Sequence, residues 1–263
     1  MINSMQAAII RKDIRAIVSN KRLFPVLLVV PLVFTVLIPS LFIFMIHFIP
    51  DDLGDFQQLL DLLPVVNHSE PLDRAVMSLI LNNVIPVFFI LIPVMAASVM
   101  AASAFVGEKE KRTLETLLYC PLTLRQIFQS KVWASFFLSM GVSVASFVVM
   151  FVVAEIEILL MTGRMLPLDF TWLVVLALVS PAISILGITL IVSGSAKAQT
   201  IEESQQRAVF LVLPVILIAT GQFSGVILIN AWYLLAIGAV LALVAYFMMK
   251  RVMANFTYEA LLR

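Results

Sequence analysis

Charge is scarce in this sequence. Asp, Glu, Lys and Arg make up 13% of its 263 residues against 62% hydrophobic residues, whereas a soluble domain carries about 25% charge and about 45–50% apolar residues. A soluble fold is excluded and no nucleic-acid partner is expected; the net charge of +1 itself says little, because in a membrane protein the sidedness of charge matters and the sum does not. The single cysteine, Cys120, has no partner for an intrachain disulfide. Only two histidines occur, His47 and His68, and no His/Cys/Asp/Glu set has metal-ligand spacing, so no metal is expected. Nowhere does Gly-x-x-x-x-Gly-Lys-[Ser/Thr] occur, and no polar stretch is long enough for a nucleotide-binding domain, so no cofactor is expected on this chain. Repeats, Gly/Ser linkers and low-complexity tracts are also missing. The chain reads as one domain, residues 1–263.

What is abundant is long apolar runs. A bilayer core needs about 20 apolar helical residues, and six stretches qualify: residues 23–49, 79–106, 132–154, 171–192, 208–229 and 231–249. The last two are separated only by Asn230, and are read as a hairpin because their combined length is about twice one crossing. The first run follows Lys21 and Arg22 without a small-residue cleavage pattern and reads as an uncleaved signal anchor. The predicted fold is therefore an all-α integral membrane protein with six transmembrane helices. None of the six runs contains an internal Asp, Glu, Lys or Arg, which disfavours an ion-driven transporter that relays charge through the membrane.

With both termini placed in the cytoplasm, fifteen of the 17 Lys and Arg residues fall in inner segments, and only Arg74 and Arg164 fall outside. The positive-inside rule thus selects that orientation and an even number of crossings, for a multi-pass protein of the cell membrane. The extracellular loop, residues 50–78, collects Asp51, Asp52, Asp55, Asp61, Glu70 and Asp73. Ahead of the first run, Ile10, Ile14 and Ile17 share one helical face, with Lys12, Arg15 and Ser19 on another. Residues 1–22 read as an amphipathic interfacial helix, serving either as a basic membrane anchor or as a contact for a partner.

Between the second and third runs lies a charged, helix-prone island, residues 107–131. Leu114, Leu117 and Leu118 form an i, i+3, i+4 stripe, bordered by Glu108, Lys109, Glu110, Lys111, Arg112 and Glu115. Pro121 ends this helix, because the residue before proline is pushed out of the helical region, and Leu124 to Lys131 form a second short helical stretch. Periodicity alone leaves two readings open: a solvated connection between two crossings, or a rigid bracket that docks on something outside the lipid.

The run Glu108-Lys-Glu-Lys-Arg-Thr113-Leu-Glu115-Thr-Leu-Leu118-Tyr-Cys-Pro121, followed by Ile127 and Lys131, resembles the E-K/R-E-x-x-T-L-E-x-L-L-x-x-P pattern of type-2 ATP-binding-cassette exporter permeases. The likeness extends to Ala198-Gln-Thr200-Ile-Glu202-Glu203, although Glu203-Ser204-Gln205 stands where many relatives carry Glu-Ala-Gln. The resemblance implies a non-enzymatic permease subunit of an ATP-driven exporter, working as a dimer with a second copy or a paralogue. It implies a cytoplasmic coupling helix between spans two and three, carried by Glu108, Lys109, Glu110, Arg112, Thr113, Leu114, Glu115, Leu117, Leu118 and Pro121. That helix would dock on separate cytosolic ATPase subunits, which would hold ATP and Mg.

Two other readings compete. Glu202-Glu203-x-x-x-Arg207 fits the signature of CAAX-type intramembrane proteases, but the histidines such chemistry needs downstream are lacking, since His47 and His68 both lie upstream. A Thr200-x-x-Glu203 capping box and a Glu203–Arg207 pair explain the same residues as a helix start. The other is a non-transporting membrane scaffold or immunity protein. In the fifth run, Gly221-Gln222-Phe223-Ser224-Gly225 has small-xxx-small spacing. Its Gln222 and Ser224 serve either helix packing or a translocation path.

Overall fold

The computed structural model describes residues 4–21, 23–48, 72–110, 121–165, 169–195, 198, 200–223 and 231–254. Among them the chain is helical, with no strand. It runs through α1 (Ser4–Val18), α2 (Leu23–Phe48), α3 (Leu72–Leu79), α4 (Ile85–Phe89), α5 (Leu91–Glu110), α6 (Leu124–Thr162), α7 (Phe170–Val174), α8 (Ser180–Ser195), α9 (Ile201–Gln205), α10 (Val209–Phe223) and α11 (Ala231–Ala254).

Among the described residues, five helical runs are long and apolar enough to cross a membrane: Leu23–Phe48, Arg74–Glu110, Leu124–Thr162, Phe170–Ser195 and Ala231–Ala254. A sixth apolar helix, Val209–Gln222, is shorter. The apolar cores of the second and fourth runs are mostly buried and those of the other three mostly exposed, so the second and fourth form the middle of the bundle. Small residues bring them together. Ala96, Ala97, Ala101 and Ala102 are fully buried on α5, and a Cβ added at Gly187 of α8 would lie 3.6 Å from that of Ala97.

Both central runs are interrupted by a π-turn, Ile80–Val84 and Val175–Val179. In each case proline follows one residue after the turn, as Ile85-Pro86 and Ser180-Pro181. Proline lacks an N–H and its ring clashes with the carbonyl four residues back. Widening the preceding turn relieves that clash, and Ile85 N–H reaches back to Ile80 O while Ser180 N–H reaches Val175 O. The π-turn leaves Leu81 C=O without either of its usual helical donors. Ile85 is committed to Ile80, and the residue five ahead is Pro86. The indole Nε1 of Trp172, on α7, donates to Leu81 O at 3.1 Å.

The third apolar run is longer as a helix than its hydrophobic stretch predicts. At 39 residues and about 1.5 Å rise per residue, α6 is nearly twice the length needed for a hydrocarbon core of about 30 Å. Its ends are set by capping. Thr123 Oγ1 accepts from Gln126 N–H while Gln126 Oε1 accepts from Thr123 N–H, and Gly163 closes the far end at φ 70°. The short helical stretch expected over Leu124 to Lys131 leads without a break into the span.

Candidate functional site

At one end of the bundle, α1 and the junction of α5 with α6 carry Arg11, Lys12, Arg15, Lys109, Arg125 and Lys131, and α11 ends in Lys250 and Arg251. Here α1 packs lengthwise on the base of α6. Gln6 Nε2 donates to Gln126 O at 3.4 Å, and Asp13 meets Lys131 at 3.7 Å. Both partners advance in the same direction, so α1 runs alongside α6 and does not merely cross it. The packed face is Gln6, Ile9, Asp13 and Ile17, with Ile9 against Ile127 and Leu122. Of the isoleucines expected on the apolar face, Ile17 is buried, while Ile10 and Ile14 lie at the half-buried edge.

Lys131 is the hub of this junction, and its side chain is only 4% exposed. Its Nζ is 2.8 Å from Glu108 Oε2 and donates to Ala104 O at 2.6 Å. Ala104 and Glu108 are one turn apart at the C-terminal end of α5, where helix carbonyls concentrate negative potential. One ammonium thus neutralises both the side chain and the helix end. Lys12 of α1 donates to Glu108 Oε1 at 2.9 Å and lies 3.9 Å from Asp13. Because Lys12 is 56% exposed, its share is weakened by solvent. Phe105 covers Lys131, with its ring centroid 5.7 Å from Nζ. Two ammoniums and two carboxylates from α1, α5 and α6 therefore balance in a largely buried cluster.

Burial pushes the Asp13 carboxyl above the ordinary carboxylate range; Lys131 pulls it down, Glu108 pushes it up, and Lys12 pulls it down. An acid with a raised folded-state pKa costs stability when ionised. That cost is absent below its unfolded-state pKa and is complete above its folded-state value. Asp13→Asn is accordingly expected to raise thermal stability at neutral pH, with the gain shrinking as pH falls into the carboxylate range and the parent's Asp13 is protonated too. A pH series of melting temperatures on the purified pair checks this. A gain that grows on acidification would contradict it.

A family model described as ABC-2 family transporter protein matches residues 7–249, from α1 to the last turns of α11. The chain belongs to the ABC-2 transporter family. No curated protein and no solved structure matches it. Membership makes the chain a multi-pass membrane permease, a transport subunit and not a catalytic one.

In this ABC-2 permease the residues singled out from the sequence fall into three groups. Glu108 is buried in the ion cluster, Lys109 is half-buried, and Glu110 is exposed, so α5 emerges from the bundle over these three positions. Pro121 is exposed, two residues before the Thr123 cap. Arg112, Thr113, Leu114, Glu115, Leu117 and Leu118 lie outside the described residues, as does Ser224. Gln222 is 3% exposed on α10, and neither amide atom has a hydrogen-bond partner among the described residues.

The permease does not assemble the protease site among its described residues. Glu202 and Glu203 are exposed at the start of α9, where Ile201 packs beside Gly107 near the ion cluster. His47 occupies the last turn of α2, at that helix's far end from α1, and His68 lies outside the described residues. Thr200 Oγ1 accepts from Glu203 N–H at 3.2 Å, the N-cap half of the expected capping box.

The sequence reading missed the partnership of Asp13 with Lys131. Asp13 stands four residues from both Ile9 and Ile17, and an acid in the middle of an apolar stripe signals a buried countercharge.

Proposed function

We propose that this ABC-2 permease is the membrane subunit of an ATP-driven exporter of the cell membrane. Six crossings, with both termini cytoplasmic and α1 on the inner face, form a translocation path together with a second permease copy or a paralogue. Residues 107–131 contain the coupling helix, which docks on separate cytosolic ABC ATPase subunits that bind ATP and Mg. The observation that carries this reading is the family match across residues 7–249. Geometry supports it, because α5 and α6 leave and re-enter the bundle at the same basic end, tied by Lys131 and Glu108 at 2.8 Å. Basic residues favour the cytoplasmic side, so the segment between Glu110 and Pro121 faces the compartment that supplies ATP.

The leucine stripe Leu114, Leu117 and Leu118 fills a groove on the ATPase, while Glu110, Arg112 and Glu115 orient it through charge-assisted contacts. ATP-driven closure of the ATPase pair then moves a bracket anchored in two long helices. A photo-cross-linker placed at Leu117 in native membranes is expected to capture an ABC ATPase subunit. Recovery of phospholipid adducts alone would overturn the docking assignment.

A further inference from the structure

The same basic end bears on how α1 takes part in the cycle. Three chain segments far apart in sequence meet there: Lys12 and Asp13 of α1, Glu108 of α5 and Lys131 of α6. Glu108 receives one ammonium from α1 at 2.9 Å and one from α6 at 2.8 Å, and Lys131 is shared between Glu108 and Asp13. Each of the three helices is thus bonded to both others. Two further contacts bind α1 to α6 without charge: Gln6 to Gln126 O, and Ile9 to Ile127. Ion pairs held by several donors fix geometry more tightly than apolar packing, which lets helices slide.

We propose that Glu108 and Lys131 are positioning residues that clamp α1 to the two limbs of the 107–131 bracket, the end of α5 and the start of α6, so that α1 and these limbs move as one rigid body when the bracket is pushed. The mechanical half of this inference stands on the described geometry, and the half that concerns the push rests on the ATPase docking proposed above. A lever made of the bracket alone would leave α1 behind on the membrane surface. With the clamp closed, α1 and the start of α2 directly after it are carried along. The stroke therefore reaches the first span as well as the second and third.

The test uses the full chain with Cys120→Ser and spin labels at Arg11→Cys on α1 and Arg125→Cys on α6, both positions exposed. Distances are read in nanodiscs, first for the permease alone and then with its ATPase, without nucleotide and with ATP and Mg. The clamp predicts one narrow 11-to-125 distance that ATP and Mg do not change. It also predicts that Glu108→Gln with Lys131→Met, which removes both charges of the pair together, broadens that distance even though the melting temperature stays near the parent's. A merely structural pair would leave the distribution narrow in the double variant, and that result overturns the clamp. So does a parent distance that changes with ATP and Mg, because α1 would then move independently of α6. Failure to recover any ATPase counts against the docking assignment alone, since the distance in the isolated permease still decides the clamp.

Discussion

Lys131→Met is expected to be the most damaging single substitution at the basic end of the bundle. It removes the ammonium that Glu108 meets at 2.8 Å and Asp13 at 3.7 Å, and it strips Ala104 O of its lysine donor. Two largely buried carboxylates are left facing each other with only Lys12, which is 56% exposed, to offset them. Breaking a buried pair by removing one partner costs about 3–5 kcal/mol, whereas replacing both partners with well-packed neutral side chains is often close to neutral. The loss should therefore be large in Lys131→Met and largely recovered when Glu108→Gln is added. Denaturant or thermal unfolding of the purified permease in one detergent measures both. If the double variant is as unstable as the single, the cost lies in packing around the lysine stem and not in unpaired charge.

That cluster shows where the sequence could be read and where it could not. The apolar runs were legible because lipid tolerates few charges, and the first of them, residues 23–49, matches α2, Leu23–Phe48, within one residue. The length of α6 was less legible, since hydropathy marks the hydrocarbon and not the helix. Its ends are written in Thr123 with Gln126 and in Gly163, signals that lie beyond the apolar stretch. For α1 the isoleucine pattern correctly gave an amphipathic helix but set its packed face slightly off, because that pattern assumes a lipid partner. Against α6 the preferred neighbours of the face include Lys131 and a backbone carbonyl, and Asp13 and Gln6 answer them. Similarly, Glu108 is among the coupling-helix residues that the resemblance implies, yet its side chain is buried against Lys131. Its lysine partners lie 96 positions upstream, on α1, and 23 downstream, at the foot of the next span, and no local periodicity connects them.

Trp172→Ala is expected to cost about 3–5 kcal/mol, as aromatic truncations in packed cores do, and the reason can be divided experimentally. Trp172 is 3% exposed and packs its ring at 5.5 Å from Phe89 and 5.2 Å from Phe147, while its indole serves Leu81 O. Trp172→Phe keeps most of the ring contact and removes the donor. It should cost about 1–3 kcal/mol, the penalty of an orphaned buried acceptor. The carbonyl is orphaned only because Ile85 bonds Ile80 and Pro86 has no N–H. Pro86→Ala restores a donor five residues ahead of Leu81, where a π-turn can use it. Adding Trp172→Phe to Pro86→Ala should therefore cost less than adding it to the parent. The coupling between the two sites should be about 0.5–3 kcal/mol, the range for residues that share one bonded group. Unfolding free energies of the four proteins in this cycle measure that term. Simple additivity would mean that Trp172 holds the two central runs together through its ring alone, and that the indole bond contributes nothing to the π-turn beneath it.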